Sequence, residues 1–219
     1  MEHASARQRF LILLPIPLIV SVAFVFSTAA YWLGDAPGYL IGFGFYWLWC
    51  LSAPLFLWGR RGLHYVLAAE DPLFRRKNWL LITLLSLTIA GAVWMYFIPG
   101  LALVSFGVLL FSPIAIINGT AEEILWRGVY VKAFGHNVVL GCVYPAIGFA
   151  LFHLAPTLVF PAEGETFPFI MSTFALGLVY GWVAYRTKTA RWTAITHSLA
   201  GLLAFGEPIS TSMAWLIHR

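Results

Sequence analysis

This sequence predicts an all-α fold, a polytopic transmembrane helical bundle, and three observations lead to that class. Hydrophobic residues occupy 61% of the 219 positions. Charged residues occupy only 10%, against roughly 25% in a soluble domain. Apolar runs long enough to cross a bilayer recur along the whole chain, with Gly and Pro between them. The length suits seven or eight spans with short loops and leaves no room for a separate soluble domain.

The predicted spans divide the chain into two parts. We expect N-terminal transmembrane helices over residues 1–100 and a helical core with most of the buried polar groups over residues 101–219. The fourth run is expected to continue into the polar segment 118–131, and the tail 209–217 is a partial eighth span. The seven full runs lie at about 10–32, 38–58, 79–98, 101–118, 138–154, 167–185 and 191–206.

The distribution of charge predicts the orientation of the bundle. If the N-terminus is cytoplasmic and each run crosses once, twelve of the thirteen Lys and Arg residues fall in cytoplasmic segments. We therefore expect a multi-pass protein of the plasma (inner) membrane with a cytoplasmic N-terminus. The basic residues form short clusters beside the spans and no continuous stripe, so we expect no nucleic-acid partner. The predicted outer loops carry only acids, namely Asp35, Glu163, Glu165 and Glu207.

The segment Asn118–Val131 places two carboxylates and an arginine in apolar surroundings. Each ionised side chain there costs at least ~2.5 kcal/mol to insert into a membrane. Glu123 and Arg127 are separated by one helical turn and are expected to pair. Glu122 is rotated by roughly 100° from Glu123, which leaves it free for chemistry. The alternative interpretation is a buried ion pair that only locks two helices together.

Two further features of this segment predict where its helix begins. Asn118-Gly119 is interpreted as a helix break, and Thr120 with Glu123 as a capping box. Both acids would then lie in the first turn, where the helix dipole favours carboxylates. Elsewhere, Cys50 and Cys142 are expected to be free thiols, and the Gly177-x-x-x-Gly181 pair predicts close helix packing.

Two histidines lie in other spans and are candidates to join Glu122. His153 and His197 could help Glu122 to activate a water and stabilise an oxyanion. Alternatively, the three side chains could bind a divalent metal such as zinc. Counting residues from the cytoplasmic end of each span, at about 1.5 Å per residue, places His197, Glu122 and His153 at depths of about 9, 15 and 22 Å in the membrane. We therefore expect a kink near Pro145, or the break at Asn118-Gly119, to bring them together.

These residues together resemble the motif set of the CPBP intramembrane proteases. The matching residues are Glu122-Glu123-x-x-x-Arg127, Phe149-x-x-x-His153 and His197, in the family's order and all within apolar helices. That family includes the type II CAAX prenyl endopeptidases and bacteriocin-processing or self-immunity (Abi) proteins. The resemblance runs from about Thr120 to Gly201, and residues 1–100 match only in being transmembrane.

The resemblance implies a function and a role for each residue. It implies an intramembrane endopeptidase that opens toward the cytoplasm and cleaves a membrane-anchored or lipidated protein or peptide near its terminus. Glu122 would activate water with His153, Glu123 and Arg127 would hold the site, and His197 would help to stabilise the oxyanion. The implied mechanism uses no cofactor, with a divalent metal such as zinc as the alternative.

One position departs from the family's pattern. The last motif usually reads His-x-x-x-Asn, with the asparagine aiding the oxyanion, and here that position is Gly201. Losing one oxyanion donor can cost about 100-fold to 1000-fold in rate, so Asn118, Thr196 or Ser198 is a candidate substitute. The departure keeps a non-catalytic scaffold or self-immunity protein as an alternative. Two others are a cytochrome with His153 and His197 on haem and a proton-coupled transporter.

Overall fold

The computed structural model describes residues 5–68, 73, 75–161 and 166–217. Every regular element in these ranges is a helix, which confirms the all-α class. Glu163 and Glu165 of the predicted outer loops lie outside the described residues. The N-terminal part contains α1 Ala6–Leu13, α2 Pro15–Leu33, α3 Asp35–Trp58, α4 Gly62–Leu67, α5 Trp79–Ala92 and α6 Ile98–Gly100. The C-terminal part contains α7 Phe106–Phe111, α8 Ile114–Glu123, α9 Tyr130–Ala133, α10 Tyr144–Phe152, α11 Thr166–Thr187, α12 Arg191–Leu203 and α13 Ile209–Ile217.

Short helical turns of other types join several of these helices. Turns of 3₁₀ helix occupy Gly59–Arg61, Arg76–Asn78 and Pro156–Leu158. Turns of π-helix occupy Val93–Phe97, Ile124–Val129 and Val139–Val143. Each π-turn adds a residue to a helical turn and changes the direction of the side chains that follow.

Five of the described helical segments are long and apolar enough to cross a membrane. They are Pro15–Leu33, Asp35–Leu67, Trp79–Gly100, Val139–Leu158 and Thr166–Thr187, and they coincide with five of the predicted runs. The other two runs form helices that are more polar or shorter. The continuous helix 114–133 carries the charged motif, and α12 has 13 residues. The total of seven or eight spans stays a prediction.

Basic residues gather at one end of the bundle. The backbone N–H of Ala190 donates to the carbonyl of Val66 over 3.1 Å, and the Lys188 ammonium donates to the carbonyl of Gly135. Lys132 lies 4.8 Å from the centroid of the Tyr65 ring. These contacts place the end of α4, the end of α9 and the α11–α12 turn together, which agrees with the charge pattern of the sequence. Which side of the membrane this end faces stays a prediction.

The larger of two apolar core clusters among the described residues joins helices from both parts of the chain. Tyr46 on α3 accepts a hydrogen bond from the Trp126 indole N–H over 2.7 Å. The Tyr46 ring also stacks on Phe152, with the ring centroids 3.7 Å apart. Residues before position 100 therefore pack directly against the helix that carries the two glutamates.

One of two tyrosine hydrogen bonds at the α1–α2 junction compensates for a proline at the start of α2. Pro15 has no N–H group, so it cannot bond the carbonyl of Leu11 four residues earlier. The Tyr130 hydroxyl donates to this Leu11 carbonyl over 2.9 Å, and the Tyr144 hydroxyl donates to the carbonyl of Ile12. Because an unpaired carbonyl is costly in an apolar medium, these bonds stabilise the α1–α2 junction.

The predicted helix break at Asn118-Gly119 is wrong. Helix α8 runs without interruption through these residues and continues into the π-turn at Ile124. Gly119 has a packing role, since a Cβ there would lie 2.8 Å from the backbone nitrogen of Ser198 on α12. The predicted capping box is also wrong, because Pro113 caps α8 and Thr120 Oγ1 lies 3.3 Å from Ser198 Oγ. The two acids consequently lie inside a continuous helix and not in its first turn.

The expected distortion near Pro145 is present as the π-turn Val139–Val143, which ends just before α10. The predicted glycine packing is confirmed on α11. A Cβ at Gly177 would lie 3.1 Å from Ala146, and a Cβ at Gly181 would lie 2.9 Å from the Cys142 sulfur. Cys50 and Cys142 are buried free thiols, as expected.

Candidate active site

Three buried charges on one helical segment form the centre of the candidate site. Glu122, Glu123 and Arg127 are 2%, 0% and 1% exposed. Arg127 Nη1 lies 3.0 Å from Glu123 Oε1, which confirms the pair predicted from the spacing. Burial of three formal charges in an apolar bundle is costly unless each has a partner.

Aromatic rings cover the Arg127 guanidinium. Its central carbon lies 4.2 Å from the centroid of the Phe149 ring and 5.6 Å from that of Tyr180. Neither terminal nitrogen completes a well-aligned hydrogen bond with a described residue. The cation is therefore held by charge attraction to Glu123 and by the faces of these rings.

His197 on α12 connects the two glutamates. Its Nδ1 lies 2.9 Å from Glu123 Oε1, and its Nε2 lies 3.6 Å from Glu122 Oε2. A carboxylate can only accept, so Nδ1 carries a proton and donates it to Glu123. When Nε2 is protonated as well, two cations balance two carboxylates and the cluster has no net charge.

His153 ends α10 and has a different environment. Its Nδ1 lies 2.8 Å from the carbonyl oxygen of Phe149. Because a carbonyl only accepts, Nδ1 is the donor and a neutral His153 keeps the lone pair on Nε2. The Phe149 ring lies 4.5 Å from the His153 ring and 6.2 Å from the His197 ring, measured between centroids. Phe149 thus links His153 to the charged cluster, and the five predicted residues converge on one region.

Two residues outside the predicted set extend the site. Asn118 lies one turn before Glu122 on α8, so the two side chains share a face, and its Oδ1 accepts a bond from the Trp47 indole N–H over 2.9 Å. The spacing of four residues to Glu122 could predict that Asn118 lies near the base, and Asn118 was one of the candidate substitutes for the missing asparagine. Trp47 had no such signal, because its role depends on how α3 packs on α8.

Tyr180 is a third addition to the site. Its ring centroid lies 5.5 Å from that of His197, and the side chain is fully buried. Tyr180 lies on α11, and no spacing in the sequence relates it to the charged motif. The contact depends on the Gly177 and Gly181 packing of α11, which could not be converted into distances from the sequence alone.

The structure distinguishes among the three candidate substitutes for the missing asparagine. A Cβ at Gly201 would lie 3.0 Å from the Cβ of Ala115, so α8 and α12 approach closely at this position. Ser198 Oγ donates to the carbonyl of Ile116 over 3.3 Å, and Thr196 lines a groove toward α5. Asn118 lies one turn before Glu122 on the same helix, so its side chain shares a face with the candidate base.

The described residues show no ready-made metal site. No group of three or more His, Cys, Asp or Glu side chains within the described ranges is placed to hold one ion. Catalytic zinc needs three protein ligands around one point. Here the carboxylates face His197 and Arg127, and a divalent metal stays the alternative expectation.

An apolar groove of about 500 Å³ opens between α4, α8 and α12. Thr120 and Ser198, which line it, lie two positions before Glu122 and one position after His197. Arg191 lies at the end of the groove near α4 and donates to the carbonyl of Leu67 over 3.0 Å. The other lining residues are Leu67, Ile116, Ala194, Ile195, Leu199 and Leu202.

Comparison with known proteins gives one match. Residues 104–203 match a family model described as type II CAAX prenyl endopeptidase, Rce1-like. The matched range contains all five predicted site residues and spans the helices from α7 to α12. No curated protein and no solved structure matches the chain.

Proposed function

We propose, from the match of residues 104–203 to the Rce1-like model of type II CAAX prenyl endopeptidases, that this chain is an intramembrane glutamic endopeptidase of the CPBP group. Its substrate is a membrane-anchored or lipidated protein or peptide, cleaved near a terminus. The observation that carries the proposal is the buried cluster in which His197 faces both Glu122 and Glu123, and Arg127 pairs with Glu123. A chain that needed only an ion pair to join helices would not need a second buried carboxylate beside a histidine.

Glu122 is the general base in the proposed reaction. It takes one proton from a water molecule while the water oxygen forms a bond with the carbonyl carbon of the substrate. The π electron pair of the carbonyl moves to its oxygen and creates an oxyanion. When this intermediate collapses, the carbonyl is restored, the C–N bond breaks, and the proton held by Glu122 passes to the departing amine.

The two histidines contribute opposite hydrogen-bonding functions. The Nε2–H of protonated His197 donates to the oxyanion, and Glu123 orients the ring by accepting from Nδ1. The Nε2 lone pair of neutral His153 accepts from the attacking water, because its Nδ1 proton is committed to the Phe149 carbonyl. Arg127 keeps Glu123 ionised and in place. No metal takes part in this scheme, since the carboxylate itself activates the water.

The apolar groove supports a lipidated or membrane-embedded substrate. It runs along α8 and α12, the two helices that carry Glu122 and His197. A hydrocarbon chain in this groove would anchor the substrate beside the base. The arginine at one end would favour an anionic group there, such as a terminal carboxylate.

The experiment that tests the proposal compares Glu122→Gln with the wild type in native cells. We expect a protein terminus in the membrane fraction that appears with wild type and is absent with Glu122→Gln, at equal expression. The substitution keeps the size of the side chain and removes the base. Glu207→Gln is the matched control, since Glu207 is an exposed acid after the end of α12 and outside the cluster, and it should leave the terminus intact.

A non-catalytic scaffold is the second candidate, and Gly201 favours it because α12 there offers no side-chain donor. This function predicts that Glu122→Gln has no effect on any terminus or phenotype, whereas substitutions at Arg127 impair folding. Normal cleavage by Glu122→Gln would overturn the glutamic mechanism. The absence of any wild-type-dependent terminus would favour the scaffold.

A further inference from the structure

A hydrogen bond from the N-terminal part of the molecule holds the side chain that lies one helical turn before Glu122. The Trp47 indole N–H on α3 donates to Asn118 Oδ1 over 2.9 Å. Asn118 and Glu122 are separated by one turn of the uninterrupted helix α8, so their side chains share a face and are neighbours. Both Trp47 and Asn118 are half-buried. The residue next to the candidate base is therefore held by a helix outside the region of the family match, residues 104–203.

The chemistry of the three groups fixes the orientation of the amide. An indole N–H can only donate, and an ionised carboxylate can only accept. Asn118 must therefore turn its oxygen to Trp47 and its NH₂ group to Glu122. Flipping the amide would place its NH₂ group against the Trp47 N–H and its oxygen against the Glu122 carboxylate, and neither contact is a hydrogen bond. Trp47 consequently determines which end of Asn118 faces the base.

The packing of α8 on α12 explains why this donor belongs to α8. A Cβ at Gly119 would lie 2.8 Å from the Ser198 backbone nitrogen, and a Cβ at Gly201 would lie 3.0 Å from the Ala115 Cβ. The two helices approach so closely at these positions that a longer side chain on α12 at position 201 would press on α8. An amide at position 118 avoids this contact.

We propose that Asn118, held by Trp47, is a positioning residue that orients the Glu122 carboxylate for proton abstraction. The inference rests on the proposed function, because orientation of a base matters only if the base acts. It adds to that function a role for the N-terminal helices. Without the amide, the Glu122 carboxyl rotates between its partners, and the oxygen that takes the proton is no longer fixed.

Kinetics on the substrate identified by the terminus comparison test the proposal. We expect Asn118→Ala to lower kcat by about 10-fold to 100-fold, similar to the loss of other groups that orient a reacting ligand, with KM changed by less than about twofold. Trp47→Phe should also lower kcat, by a smaller factor than Asn118→Ala does. The double variant should be no slower than Asn118→Ala alone, since both act through one amide.

Trp49→Phe is the matched control for Trp47→Phe. Trp49 is also a half-buried tryptophan of α3, and it is rotated by roughly 200° from Trp47, so kcat should keep its wild-type value. An unchanged kcat in Asn118→Ala would overturn the proposal. So would a change in KM alone, or losses for the two single variants that multiply in the double variant.

A second measurement separates failure of this inference from failure of the proposed function. Dicyclohexylcarbodiimide, an apolar carboxyl reagent, is reacted with the purified full chain, and the labelling rate at Glu122 is followed by mass spectrometry. We expect Asn118→Ala to raise this rate severalfold and Trp49→Phe to leave it unchanged, whether or not the wild type cleaves any substrate. Equal labelling rates in wild type and Asn118→Ala would overturn the positioning role.

Discussion

His197 has both ring nitrogens directed at carboxylates, and this arrangement determines the charge of the site. Glu123 accepts from Nδ1, and Glu122 faces Nε2. Arg127 Nη1 lies 3.0 Å from the same Oε1 atom of Glu123 that accepts from His197. Because the cluster is almost fully buried, each charge depends on the others for its stability.

Removal of one buried partner is therefore expected to be expensive. Arg127→Met should destabilise the folded protein by about 3–5 kcal/mol, because Glu123 is left with only His197 against its charge. The double variant Glu123→Gln, Arg127→Met should recover part of this loss. Thermal unfolding of the full chain in detergent micelles measures the effect.

The exposed Arg60 supplies the control for that measurement. Arg60→Met removes one positive charge outside the cluster and should change stability by less than about 0.5 kcal/mol. If Arg127→Met and Arg60→Met proved equally stable, the ion pair would have no structural role.

The structure brings the five candidate residues together, but the sequence could predict only some of their contacts. The Glu123–Arg127 pair followed from one helical turn of spacing, since that distance is the same in any helix. The bridge from His197 to both glutamates depends on the packing of α12 against α8, and Trp47 and Tyr180 join the site only through tertiary contacts. Periodicity within one helix does not contain that information.

At the scale of the helices, the contact between α8 and α12 brings Glu122 and His197 together. Gly119 is the point of closest approach, because any Cβ would meet the backbone of Ser198. The glycine was interpreted as a helix break from the sequence alone. Glycine is typical both of breaks and of close helix contacts in membranes, and only the packing partner distinguishes them.

Gly119→Ala should force α8 and α12 apart. We expect a loss of about 1–3 kcal/mol in stability, the range for an extra methyl group in a well-packed core, together with reduced cleavage. Gly91→Ala on α5 is the control, since a Cβ there meets nothing within 4 Å and alanine is a better helix former by about 1 kcal/mol. The free energies of unfolding of the two variants, measured in the same detergent, should differ in sign. Equal stability of Gly119→Ala and wild type would contradict the close packing.

At the scale of the whole molecule, charge divides the bundle into two ends. Lys132, Lys188 and Arg191 lie near the ends of α4 and α9. At the other end, two close contacts surround the turn that precedes the acidic residue Glu207. A Cβ at Gly100 would lie 2.4 Å from the Phe205 ring, and a Cβ at Gly206 would lie 2.9 Å from the Ser112 carbonyl. The hydropathy and charge of the sequence predicted this polarity well, because both depend on the bilayer and not on detailed packing. They could not predict the short, distorted helices around the site, where π-turns replace straight spans.

The orientation of the two ends can be tested with single cysteines. In intact cells, Asp35→Cys should react with a membrane-impermeant maleimide added outside, and Arg61→Cys should react only after the membrane is opened. Both positions are exposed, whereas the native Cys50 and Cys142 are buried and serve as an unreactive background. The reverse pattern of labelling would show that the N-terminus is outside.

The bridging position of His197 also has a consequence for biogenesis. His197 follows Glu123 by 74 residues, so a ribosome delivers both glutamates and Arg127 to the insertion machinery well before the histidine. During this interval the motif has one carboxylate in excess, and each ionised group costs about 2.5–3.5 kcal/mol in the bilayer. The nascent helix 114–133 should therefore stay bound to the translocon or a chaperone until α12 is inserted. Quality control can recognise chains that stop before His197.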